Sequence, residues 1–229
     1  MSPFLIVSLV LFLVWAVLFL ASRSTRREQA IMSLIGLILS PGALFWAATD
    51  YRSGGAGVSS LGIEDILFSF ALFGIAAVIY QVLFGKHVSN WRGERYRIGN
   101  PAMHWISHLI LTFGIWAFIA LTTALVFHLS SVQAFILGGL IIGVYIIADR
   151  KDLMLDALLS GLFVAMLVFI IEQLFFMRLF PVAAIMFWRQ DSLSGIILGG
   201  IPIEEILWAA IVGFAIGPFY EYVRRYKLI

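Results

Sequence analysis

Seven apolar runs, each close to the length that carries a helix across a bilayer, dominate this sequence. They lie near residues 3–22, 29–49, 62–85, 102–128, 132–148, 153–177 and 203–222. A helix needs ~20 apolar residues to cross ~30 Å of hydrocarbon, and in lipid every backbone polar group has to be satisfied within the segment itself. With 62% hydrophobic and 12% charged residues in 229, the chain carries far more apolar side chain than a water-soluble core absorbs. The expected fold is therefore all-α, a polytopic membrane protein of seven transmembrane helices forming one domain over 1–229. The first run is followed by its charges, in "RSTRR", and so reads as a retained span rather than a cleaved signal. The chain has no cysteine, which removes disulfides and thiolate metal sites from consideration.

Sorting the loops by charge orients the helices, because Lys and Arg are retained on the cytoplasmic side. Twelve of the fifteen Lys and Arg residues fall on one side, including Arg26, Arg27, Arg150, Lys151 and Arg224; only Arg52, Arg178 and Arg189 fall on the other. The N-terminus is expected outside and the C-terminus in the cytoplasm. The positive charge is confined to loops, so nucleic acid is excluded as a partner. Membrane lipid is the expected surrounding, and a homo-oligomer is compatible with it.

Within this apolar chain two acidic pairs stand in matching places. "LGIEDILF" carries Glu64 and Asp65 at the head of the third run, and "GIPIEEILW" carries Glu204 and Glu205 at the head of the seventh. The duplication suggests two parallel three-helix repeats, about 1–85 and about 132–222, joined by a connector helix over about 102–128. Parallel repeats share a pseudo-twofold along the membrane normal, which sets both pairs at one depth near the outer boundary. Glu172, in "FIIEQLFF", falls in the same outer half. An acid in a helix's first turn also suits the helix dipole and Pro202 is an ordinary helix-start residue, so capping is the competing explanation. Ionisable groups deeper in a span more often mark function.

The string Trp188, Ser194-Gly195, then Gly199-Gly200-Ile201-Pro202-Ile203-Glu204-Glu205-Ile206-Leu207-Trp208 resembles the C-terminal part of the small integral-membrane lycopene cyclases, of the bacterial heterodimeric and fungal fusion types. Gly62-Ile63-Glu64-Asp65-Ile66-Leu67-Phe68 is similar to the first copy of that family's acidic motif, with Gly62 and Asp65 in place of proline and the second glutamate. The resemblance implies a carotenoid end-group cyclase acting on an apolar, lycopene-like polyene drawn from the bilayer, an isomerase-type reaction with no net redox change and no cofactor.

Such a reaction needs a proton delivered to a terminal double bond, a carbocation held away from water, ring closure, and removal of another proton. Paired buried carboxyls share protons and so supply a donor and an acceptor together. The expected catalytic residues are Glu204 and Glu64, equivalent by repeat and taken as the inward-facing members, with Glu205, Asp65 and Glu172 tuning them. Cations without nucleophiles call for aromatic faces, and Phe68, Phe70, Trp208, Trp188, Phe175 and Trp46 come from segments near the same level; packing or an interfacial belt is the plainer use of such rings.

Other polar residues point less far. His104 and His108 share a helix face, but at the opposite end from the acids and with no third ligand, so a hydrogen-bonded pair is expected and no metal. Asp149, Asp152 and Asp156 match the spacing of a prenyltransferase diphosphate site but have no second copy; a charged turn with Asp152 capping the sixth helix is the preferred reading. Covalent retinal is excluded because the seventh run contains no lysine. A metalloprotease of the Glu-Glu-x-x-x-Arg kind is excluded by alanine at 209. A proton-coupled transporter stays open as the alternative, since intramembrane acids also relay protons, as does a carotenoid-binding or hydrating relative that does not cyclise.

Overall fold

Ser2 opens the first helix: its hydroxyl accepts the Leu5 amide at 3.1 Å, with Pro3 in the first turn where its missing N–H costs nothing. The computed structural model describes residues 2–51, 62–86, 88–90, 101–182 and 187–228. Its helices are α1 (Pro3–Ala21), α2 (Arg26–Asp50), α3 (Ile63–Phe84), α4 (Pro101–Phe127), α5 (Ser131–Asp149), α6 (Met154–Glu172), α7 (Ile203–Ile216) and α8 (Phe219–Arg224). A 3₁₀ turn at Lys151–Leu153 leads into α6, and a π-helical segment at Gln173–Leu179 prolongs it. α7 and α8 form one span interrupted at Gly217–Pro218, so seven spans long and apolar enough to cross a membrane are present among the described residues. The chain is a helical membrane protein, as its apolar runs require.

In the first half, α1 and α2 both pack on α3; in the second, α5 and α6 both pack on α7, and α3 meets α6 and α7 across the middle. α4 lies on α5. The closest approach is between α6 and α7. A Cβ added at Gly213 would sit 2.4 Å from the Ser160 carbonyl oxygen, and one at Gly161 2.9 Å from that of Ala210. Small residues let helix backbones meet in lipid, where van der Waals packing replaces the hydrophobic effect as the driving force. The buried middle is apolar: Leu72, Ile75 and Ala76 on α3 face Val164 and Val168 on α6 and Val212 on α7.

Among the described residues, two small sheets close the ends. β1 (Val88–Asn90) pairs antiparallel with β4 (Tyr226–Leu228) at one end. At the other, β2 (Ile197–Leu198) pairs with β3 (Ile201–Pro202) across Gly199–Gly200. Both glycines have positive φ, +60° and +93°, which a two-residue hairpin turn of this hand demands. The Gln173 amide donates to Gly199 O at 2.6 Å and ties the hairpin to the π segment. Pro202 then delivers the chain into α7, with Glu204 and Glu205 in its first turn.

Candidate active site

The ends of α2, α6 and α7 and the loop that precedes α7 meet around a cavity of about 500 Å³. Its polar lining includes Glu172, Glu205, Tyr51, Ser40, Ser69 and Ser131; its rings include Phe4, Trp46, Phe68, Trp116, Phe176 and Trp208. Phe68 bridges the halves, with its ring centroid 5.6 Å from Phe4 and 6.0 Å from Trp208. The heads of α3 and α7 therefore lie at the same end of the bundle.

Glu205 is the most heavily bonded side chain here. Its Oε1 accepts from the Tyr51 hydroxyl and the Trp188 indole, both at 2.5 Å, and its Oε2 accepts from the Trp208 indole. Trp208 reaches it from one turn along α7, Tyr51 from the end of α2, and Trp188 from the loop before the hairpin. Burial, and next the charge of Glu205, hold the Tyr51 phenol well above its ordinary pKa, so Tyr51 stays a donor. Glu172 enters from the end of α6. It is buried, its Oε2 has no hydrogen-bond partner among the described residues, and it lines the same cavity as Glu205.

The other expected residues divide. Glu204 is buried but turns from the cavity: its Oε1 accepts the Ser194 amide at 2.6 Å, fixing the loop ahead of the hairpin. Adjacent helical residues differ by about 100° in direction, and in α7 it is Glu205 that faces the cavity. Glu204, the member expected to face inward, is not on that lining. Glu64, expected inward by the same argument, is half-buried and folds back over Gly62, where an added Cβ would lie 2.5 Å from its carboxyl carbon. Asp65 accepts the Gly62 amide at 2.9 Å and caps α3, the capping role for that residue. Among the rings, Trp46, Phe68 and Trp208 line the cavity and Trp188 acts through Glu205. Phe70 packs on Phe12 and Trp15 against α1, and Phe175 is buried outside the lining.

A second buried polar cluster sits at the opposite end of the bundle. The Gln81 amide on α3 donates to Glu28 Oε1 at 2.9 Å and to Glu221 Oε1 at 2.6 Å, and Asp156 accepts the Ser160 hydroxyl at 3.0 Å nearby. Sequence reading overlooked Glu28, Gln81 and Glu221. The signal was present: Gln81 and Glu221 are separated by the 140 positions that separate Glu64 from Glu204. Asp152 does not cap α6 as expected; it takes two hydrogen bonds from Arg150, at 2.9 and 2.7 Å, because the charged guanidinium is the stronger donor. Asp156 is buried against Ser160 instead of joining Asp149 and Asp152. His104 Nε2 is 3.0 Å from Val223 O, and its ring meets that of His108 at 4.5 Å. No group of His, Asp and Glu suited to a metal occurs among the described residues.

Comparison with known proteins adds one match. The family model described as lycopene cyclase matches residues 129–223. No curated protein and no solved structure matches the chain significantly. The matched stretch runs from the start of α5 into α8 and holds Glu172, Trp188, the glycine hairpin and Glu204–Glu205. Over that stretch, less than half of the chain, it is similar to the lycopene cyclase family.

Proposed function

We propose that this protein cyclises the end of a linear carotenoid by acid catalysis within the membrane, with Glu172 as proton donor and Glu205 as the ionised acceptor. The observation that carries the reading is the contrast between two carboxyls on one apolar cavity: Glu205 accepts from Tyr51, Trp188 and Trp208, while Glu172 keeps an oxygen without a partner. A carboxyl bonded by converging donors suits the anion. A buried carboxyl on the same cavity as that anion, with one oxygen that no donor among the described residues reaches, suits the protonated acid, since two buried charges sharing a site are costly.

In the cycle, the Glu172 proton adds to the terminal double bond of the polyene and leaves a tertiary carbocation. The electron pair of a neighbouring double bond closes the ring and moves the positive charge onto it. A C–H proton next to that charge passes to Glu205, which restores a double bond; transfer of this proton to Glu172 resets the site. No electrons are gained or lost. The faces of Phe68, Trp208 and Trp46 can stabilise the cation without trapping it. Glu204 is a positioning residue in this scheme, holding the 187–202 loop and with it Trp188. The scheme gives Glu64 and Asp65 no contact with the substrate.

The positive-inside sorting sets the cavity end of the bundle outward and the Gln81 cluster in the cytoplasmic half. The apolar layer of Leu72, Ile75, Val164 and Val168 between the two ends favours a closed reaction chamber over a proton-coupled transporter. Expression in a lycopene-accumulating bacterium tests the proposal. Cyclic carotenoid should appear with the wild type and disappear with Glu172→Gln. Accumulation of unaltered lycopene by a well-expressed wild type would defeat it.

A further inference from the structure

The cavity is closed toward its own end of the bundle by a web of hydrogen bonds. Asp50, at the end of α2, accepts from the Ser131 amide at 2.8 Å and from the Ser131 hydroxyl. Ser192 Oγ donates to Asp50 O at 2.5 Å, the Arg189 guanidinium to Thr49 O at 2.8 Å, and the Arg189 amide to Tyr51 O at 3.0 Å. These contacts pin the loop before α7 over the end of α2 and join α2 to α5. Below them, on the flank, the wall is open. Gly42 and Ala43 of α2, and Ala117 and Leu121 of α4, line the cavity and are also exposed, Leu121 to 50%. α2 and α4 are not among the helix pairs that pack extensively on one another in the described residues.

The local sequence suits an opening. Pro41 lacks the N–H that would bond the Leu37 carbonyl, and the Ser40 hydroxyl, 3.5 Å from that oxygen, is left to satisfy it. The next residue, Gly42, presents no side chain, and a Cβ added there meets nothing within 4 Å. The gap thus falls where α2 is narrowest.

Size decides what a ligand there must do. A compact space of about 500 Å³ is only about 10 Å across, a normal pocket volume but well short of the ~30 Å of a polyene as long as the hydrocarbon is thick. We infer that the gap between α2 and α4 is a lateral portal through which one end of a long apolar chain enters from the lipid, the remainder lying in the gap and the bilayer throughout the stay. The inference rests on the cyclase reading for the identity of the chain, but not for the route. It also requires that a molecule with two reactive ends withdraw and re-enter between reactions.

The test uses the full-length protein in lipid vesicles with a linear long-chain alkane bearing a terminal diazirine, photolysed and mapped by peptide. In the wild type, label should reach cavity residues such as Phe176 and Trp208 as well as the lipid-facing surface. Gly42→Phe projects a ring into open space, so it should lose the cavity label, keep the surface label, and melt as the wild type does. Leu121→Trp narrows the portal from the α4 side and provides an independent second variant. Leu13→Phe, of similar bulk on the exposed face of α1, should change nothing. Cavity label retained in both narrowed variants would overturn the portal. Label that follows the portal variants, in a protein that leaves lycopene unchanged, would uphold the route and reject the cyclase reading.

Discussion

Tyr51, the first residue beyond α2, donates a 2.5 Å hydrogen bond to Glu205 in the first turn of α7, 154 positions later in the chain. The bond joins the two halves of the molecule at the cavity and is one of the contacts that keep a carboxylate tolerable in a buried place. Hydrogen bonds to charged groups contribute about 1.5–3 kcal/mol each, so Tyr51→Phe should lower activity by roughly ten-fold or more, at about 1.4 kcal/mol per decade. The rate of cyclic product formation measures this. An unchanged rate would remove Tyr51 from the site.

Glu205 and Glu172 should respond differently to substitution. Glu205→Gln keeps the shape but adds N–H donors where indole and phenol donors already point, so it should lose both activity and stability, the latter by about 1–3 kcal/mol for each donor stranded. Glu172→Gln removes the acid from an oxygen with no partner to lose; activity should vanish with little change in melting temperature. Equal destabilisation by the two would contradict the division of roles.

Glu204→Gln separates positioning from chemistry. Its carbonyl oxygen can still accept the Ser194 amide, so the loop should stay in place and most of the activity should survive. Complete loss of product with unchanged melting would return Glu204 to the proton chemistry.

At the far end of the bundle, Gln81→Leu removes the amide that bridges Glu28 and Glu221. Two buried hydrogen bonds disappear and two acids lose their shared donor, which should cost about 2–4 kcal/mol. Thermal melting in detergent is the measurement. The proposed chemistry, at the opposite end, should be retained in whatever fraction remains folded.

Orientation can be tested on the chain's own background, which contains no cysteine. Asp191→Cys and Lys151→Cys both place a thiol at an exposed position, at opposite ends of the bundle. In intact cells an impermeant maleimide should label the first and spare the second. The reverse pattern would invert the topology.

The sequence by itself determined the class of fold and the position of every span, because long apolar runs have one low-energy state in lipid and their ends are marked by charge. It also located the acidic motif, since residues at the head of a run lie at a membrane boundary whatever the packing. It did not determine which acid of each pair faces inward. Glu204 and Glu205 differ by one helical step, and the rotation of α7 follows from its close packing on α6, where Gly213 of α7 meets the Ser160 carbonyl and Gly161 of α6 meets that of Ala210. Nor did the equivalence expected from the matching motifs transfer a role: Asp65 caps its own helix, because Gly62 offers it an amide, while Glu205, at the matching place in the second motif, meets Pro202, which has none, and is taken by three donors from elsewhere. Tyr51 and Gln81 carry no local signal of importance. Their partners lie 154 and 140 positions away, and only the packing of the two halves brought them within reach.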